Sequence, residues 1–115
     1  MKEGEFVITS VPQSDGRVKR RPALVLRTLP PFGDLLLCGV STKLRQQVVG
    51  FDEILSPSDE DFAASGLTTT SLIRLGFLSA VPRGRVAGAI GSVSAERHER
   101  LLRRLSEYLV EDIAP

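Results

Sequence analysis

Short apolar runs separated by turn-forming residues make up most of this chain, and an amphipathic helical pattern closes it. Phe6-Val7-Ile8-Thr9 is short and β-prone, and predicts a first strand followed by the turn-rich Pro12-Gln13-Ser14-Asp15-Gly16. Pro22-Ala23-Leu24-Val25-Leu26-Arg27 predicts a second strand, with Pro22 as its first residue or on an edge, because proline donates no ladder hydrogen bond. After the break Pro30-Pro31-Phe32-Gly33-Asp34, the unbroken apolar run from Leu35 to Val40 fits a strand buried on both faces. Val48 to Leu55 is expected to hold a further strand. Ser56-Pro57-Ser58-Asp59 has the form of a helix start, with a hydroxyl N-cap, proline at the first helical position and acids in the first turn. Gly66, after Phe62-Ala63-Ala64-Ser65, suits the stop of that helix. Thr68 to Val81 reads as a strand with a bulge or kink at Gly76, and Arg85 to Val93 as the last strand. Ser94 can then cap a final helix, in which Leu101, Leu102, Leu105 and Leu109 form one stripe. Arg97, Arg100, Arg103 and Arg104 occupy its other positions.

Together these elements describe a mainly β fold: a small, strongly bent sheet or barrel with a short inserted helix and a closing amphipathic helix. With 115 residues and no internal repeat, a single domain over residues 1–115 is expected. Hydrophobic residues make up 42% and aromatic residues only 5%, so the core must be mainly aliphatic. No apolar run approaches the roughly 20 residues that span a bilayer, and Met1-Lys2-Glu3-Gly4-Glu5 shows no apolar signal region. The expectation is a cytoplasmic protein with no membrane partner. Cys38 is the only cysteine and sits in an apolar run, which makes it a small core hydrophobe rather than half of a disulfide.

Charge adds a second layer. Fifteen Lys and Arg against fourteen Asp and Glu give a formal net charge of +1, so net charge alone predicts no general grip on nucleic acid. The distribution is uneven, however. Arg17, Lys19, Arg20, Arg21 and Arg27 crowd the first quarter, while Asp52, Glu53, Asp59, Glu60 and Asp61 make an acidic middle.

Several chemistries fall away by composition. A structural zinc site needs about four Cys or His ligands, and the chain has one of each, Cys38 and His98. A Cys–His nucleophile pair is poorly supported with Cys38 in an apolar run, and a two-histidine ribonuclease mechanism is excluded by the single His. Gly84, Gly88 and Gly91 lack the Gly-Lys-Ser/Thr ending of a phosphate-binding loop. No metal and no cofactor is expected.

An arginine-centred site remains. Lys19-Arg20-Arg21-Pro22 precedes a strand at which proline pre-sets the backbone, and an arginine held there offers a rigid fork of donors to a phosphate. Val40-Ser41-Thr42-Lys43 ends the buried strand with two hydroxyls and a cation. Taken alone, the basic triplet reads first as a solvated loop and the Ser-Thr pair first as a turn or helix cap, with a phosphate site as the second reading.

In order along the chain, Gly4-Glu5-Phe6-Val7-Ile8, then Lys19-Arg20-Arg21-Pro22-Ala23-Leu24-Val25-Leu26, then Gly39-Val40-Ser41-Thr42-Lys43, resemble the MazF/PemK toxins. Gly66-Leu67, Ser71-Leu72-Ile73-Arg74-Leu75 and Ala89-Ile90-Gly91-Ser92-Val93 extend the resemblance over nearly the whole chain. It implies a small SH3-like β-barrel, a homodimer, and a toxin endoribonuclease (mRNA interferase) that cleaves single-stranded RNA without a metal. The ribose 2′-oxygen would attack the adjacent phosphate, leaving 2′,3′-cyclic phosphate and 5′-hydroxyl ends. On this resemblance Arg21 and Ser41 are the catalytic pair, and Lys19, Arg20, Thr42 and Lys43 contact RNA. A cognate acidic antitoxin would cover the same basic groove.

Four departures stand out: Leu75-Gly76-Phe77 where the family often carries Asp-Gln, Ser41 for the commoner Thr, Lys43 for Gln or Asn, and a first strand without the Trp often seen there. Two alternatives share the fold. A gyrase poison of the CcdB branch would need a Trp-Gly-Ile tail, whereas this chain ends Glu111-Asp112-Ile113-Ala114-Pro115. A non-catalytic barrel binding RNA or protein is the other.

Overall fold

The computed structural model describes residues 1–12 and 15–111; Gln13 and Ser14, in the expected first turn, lie outside the described residues. Six strands form one antiparallel sheet: β1 (Glu5–Pro12), β2 (Val18–Leu29), β3 (Asp34–Ser41), β4 (Glu53–Leu55), β5 (Ser71–Val81) and β6 (Val86–Ser92), in the spatial order β4-β5-β3-β2-β1-β6. A short helix α1 (Phe62–Ser65) interrupts the β4–β5 connection, and α2 (Ala95–Val110) closes the chain. The architecture is the expected mainly β, barrel-like one, although the sheet does not close by strand pairing.

Helices bridge the gap between the edge strands β4 and β6. At Gly66 the backbone turns left-handed (φ 75°) to end α1, and a Cβ there would sit 2.1 Å from the Ile90 carbonyl oxygen of β6. That contact holds α1 against β6. Ser94 caps α2 as expected, its Oγ accepting from Arg97 N at 3.1 Å.

The two faces of the strongly bent sheet hold separate apolar clusters. Leu24, Leu26, Cys38 and Val40 point to one side, where they meet Phe6, Ile73, Leu75, Leu101 and Leu105. Ala23, Val25, Leu35 and Leu37 point to the other and meet Val7. This period-two division is why the run from Leu35 to Val40 shows no polar alternation. Within the α2 stripe, Leu101 and Leu105 are buried and Leu102 is partly covered, but Leu109 is 62% exposed.

Some local expectations are corrected. β2 begins at Val18, so Pro22 lies inside the strand rather than at its start. Pro22 pairs with Ile8 of β1, whereas pairing to β3 begins only at Ala23, so the strand still has one free edge at the proline. The segment 48–52 is a turn closed by Asp52 N donating to Val48 O, and only Glu53–Leu55 is strand. Ser56 is no helix cap: its N–H donates to Asp59 Oδ2 in a separate turn, and α1 starts at Phe62. β5 starts at Ser71 rather than Thr68.

The acidic middle is largely consumed internally. Glu53 accepts from Arg97, Arg100 and Arg104, and Asp61 accepts from both Arg97 and the Ser94 N–H. Burial works against the charge on Asp61, but the Arg97 hydrogen bond and the Ser94 amide outweigh it and bring the carboxyl down to about 2. Burial opposes the charge on Glu53 as well, and the three guanidinium groups hold it below the usual carboxylate range.

Candidate functional site

The pairing register builds the site. Ala23 pairs with Gly39 at the end of the β2–β3 ladder. Two residues further along each antiparallel strand stand Arg21 and Ser41, on the same face and across from one another. Arg21 is also anchored from the other side, where it pairs with Thr9 and its carbonyl accepts from Thr9 Oγ1 at 3.1 Å.

Here the sheet forms an open groove of about 520 Å³ lined by β1, β2, β3 and β5. Arg21, Ser41 and Lys43 of the expected site line it, together with Thr9, Gln46, Arg74, Phe77 and Ser79. The structure does not bring Lys19, Arg20 or Thr42 into this lining. Alternation along β2 turns Arg20 to the face opposite Arg21, Lys19 stands further out on the ribbon with β1, and Thr42 is exposed just beyond the end of β3.

Ser41 has a structural duty as well. Its Oγ accepts from the Lys43 N–H at 3.0 Å, so the hydroxyl-capped turn is real. The bond uses an acceptor lone pair and orients the oxygen, leaving the O–H free to donate into the groove.

Charge separates the groove from the rest of the surface. Among the described residues, the ion pairs engage Arg17, Arg27, Arg97, Arg100, Arg103 and Arg104, but no carboxylate pairs with Arg21, Lys43 or Arg74. Uncompensated guanidinium and ammonium groups facing one concavity are equipped to hold an anion, and guanidinium forks suit phosphate. Among the described residues no cluster of His, Cys, Asp and Glu is placed to hold a metal.

Cys38 and His98 occupy other roles. Burial, reinforced by Asp52, pushes the Cys38 thiol up to about 12, which keeps it protonated and inert. His98 Nε2 lies 2.8 Å from the Leu26 carbonyl oxygen, a contact that ties α2 to the end of β2.

Sequence reasoning missed Arg74 and Phe77 as groove residues. Their place follows from β5, where Gly39 pairs with Arg74 but Cys38 pairs with Leu78, leaving residues 75–77 outside the ladder. Gly76 sits in this bulge, as its position in the strand pattern predicts. The Leu75 N–H freed by the bulge donates to buried Asp52 Oδ1 at 3.0 Å, so the irregularity carries no orphaned donor there.

Comparison with known proteins bears on the fold and the family. A solved structure of the Mycobacterium tuberculosis toxin MazF-mt6 superposes with a TM-score of 0.65 at 19% identity, covering 90% of this chain and 93% of that one. No curated protein matches. The family model of PemK-like, MazF-like toxins of type II toxin-antitoxin systems matches residues 2–109. This chain belongs to that family.

Proposed function

We propose that the protein is an endoribonuclease that cleaves single-stranded RNA without a metal, with the groove between Arg21 and Ser41 as its active site. The observation that carries this reading is the convergence of unpaired cations, Arg21, Lys43 and Arg74, around a donor hydroxyl in one open groove. Such a site stabilises charge as it develops on a phosphate.

In this reaction the ribose 2′-hydroxyl gives its proton to solvent as its oxygen bonds to the adjacent phosphorus, the bond from phosphorus to the 5′-oxygen breaks, and that oxygen takes a proton from solvent, giving 2′,3′-cyclic phosphate and 5′-hydroxyl ends. Arg21 stays protonated at any ordinary pH, so its role is to stabilise the phosphorane electrostatically and to donate toward the leaving oxygen. Ser41 donates its O–H to a non-bridging phosphate oxygen while its acceptor side is held by Lys43 N. Lys43 binds a flanking phosphate, and Lys19, Arg20 and Thr42 contact RNA outside the groove.

The same reading gives a single domain over residues 1–115 that works as a cytoplasmic homodimer. It is restrained by an antitoxin whose acidic segment folds over the groove and competes with RNA. A binding-only barrel is the competing reading, favoured by the structural duty of Ser41 in its turn. Incubating the protein with long single-stranded RNA in excess EDTA, beside Arg21→Ala and Ser41→Ala, separates them. Discrete 5′-hydroxyl fragments that disappear in the Arg21 variant support the nuclease; intact RNA with folded protein overturns it.

A further inference from the structure

The bulge in β5 has a consequence in the groove beyond the reacting centre. It lays the Phe77 ring across Gly39, where an added Cβ would come within 2.9 Å of Phe77 Cδ1. A side chain at residue 39 would push the ring aside. The Arg74 guanidinium carbon then stands 5.0 Å from the centre of the Phe77 ring. Phe77 is 54% exposed and belongs to neither apolar cluster. A large aromatic ring outside the core, topped by an unpaired cation and lining the groove with Arg21, Ser41 and Lys43, is placed for a ligand with both a flat face and negative charge.

We propose that Phe77 and Arg74 form a nucleobase platform on which an unpaired base of the RNA stacks, one step from the phosphate held by Arg21 and Ser41. The inference rests on the reading of the groove as an RNA site. Every base presents a π face, and aromatic rings and guanidinium planes are the groups on which unpaired bases stack. The platform holds the strand so that the backbone passes the cations in a fixed register. Arg74 adds charge to the ledge, and the bare backbone at Gly39 makes room for the ring.

The test uses binding, so it does not depend on cleavage. A short single-stranded oligonucleotide with 2′-O-methyl riboses has no free 2′-hydroxyl and cannot be cut by this route. Its affinity for wild type, Phe77→Ala and Phe77→Tyr is measured by fluorescence anisotropy, beside an abasic oligonucleotide of the same length and charge. Phe77→Ala is expected to weaken base-bearing RNA on the order of tenfold, Phe77→Tyr to retain wild-type binding, and the abasic strand to be indifferent to both changes.

The chain contains no tryptophan, so Phe77→Trp introduces a single indole at the platform that can be excited selectively over Tyr108. Its emission is expected to be quenched by the base-bearing strand and not by the abasic one. Equal affinity of Phe77→Ala and wild type for base-bearing RNA overturns the platform, even where wild type cuts cleavable RNA. In that outcome the exposed ring belongs to a protein contact. A Phe77-dependent affinity in a protein that leaves cleavable RNA intact upholds the platform and overturns the nuclease. Failure of wild type to bind either strand overturns both.

Discussion

The Asp52 carboxylate accepts the Leu75 N–H at 3.0 Å through one oxygen and the Val48 N–H at 2.8 Å through the other, joining the turn before β4 to the bulge in β5. A single buried side chain therefore satisfies two amides that the sheet leaves unpaired. Asp52→Ala strands both donors and is expected to destabilise the fold by about 2–4 kcal/mol, measured by urea unfolding. It is also expected to weaken RNA binding through displacement of Phe77, whereas Asp52→Asn, which keeps one acceptor, falls between the two.

Arg97 is the most constrained cation in the chain, its side chain 9% exposed and paired with Asp61 at 2.8 Å and Glu53 at 2.7 Å. Arg97→Ala leaves the buried Asp61 carboxylate without its guanidinium, while Glu53 keeps Arg100 and Arg104, and is expected to cost about 3 kcal/mol or more. Arg103 pairs only with Glu99 on the exposed face of α2. Its replacement by alanine is expected to leave the unfolding midpoint unchanged, within experimental scatter. Equal effects of the two substitutions in parallel denaturation curves would refute this assignment.

The same network sets an acid limit. The folded-state carboxyls of Asp61, at about 2, and Glu53 lie below their ordinary values, so the unfolded chain takes up protons first as pH falls. Stability is therefore fully present above about pH 5 and is lost as pH drops through 4 toward 2. Asp61→Asn is expected to flatten this slope while lowering stability at neutral pH. Thermal unfolding followed at a series of pH values reads both.

Cys38 reports on integrity of the core. With the thiol buried and pushed up to about 12, a thiol reagent at pH 8 is expected to label native protein only as fast as the chain opens. Addition of denaturant to beyond the unfolding midpoint then gives rapid, complete labelling. Immediate reaction in buffer alone contradicts the assigned burial.

The groove cations make a salt prediction. If Arg21, Lys43 and Arg74 each meet a phosphate, the logarithm of the association constant for single-stranded RNA falls with the logarithm of salt concentration at a slope of about −2. Arg21→Ala lowers the magnitude by about 0.7, and Arg103→Ala leaves it alone. A slope that ignores Arg21 removes that residue from phosphate contact.

What the sequence reveals depends on how locally each feature is determined. The Ser94 cap, the Gly66 stop and the bulge at Gly76 are visible because each rests on residues adjacent in the chain. Arg21 and Ser41 are visible through resemblance, and their alignment across the ladder needs only strands of ordinary register. Arg74 and Phe77 are not visible, because their position is set jointly by Gly39 on another strand and by Asp52 on a distant turn. The Ser56 cap fails for a related reason: Asp59 competes for the Ser56 amide and closes a turn, delaying the helix to Phe62. Nor does the pattern reveal that Arg97, Arg100 and Arg104 of α2 are claimed by Glu53, and Arg97 also by Asp61, whereas no carboxylate among the described residues pairs with the groove cations.

The closure of the sheet by helices rather than strands also bears on self-association. An open sheet leaves rows of amides and carbonyls on its outermost strands, which invite stacking of further chains. Here one outermost strand, β4, is only three residues long, and the other, β6, lies under α1 at Gly66. Neither offers a long flat template. Growth into fibrous aggregates by strand addition is thereby blocked, while the concave face that carries Arg21 stays open.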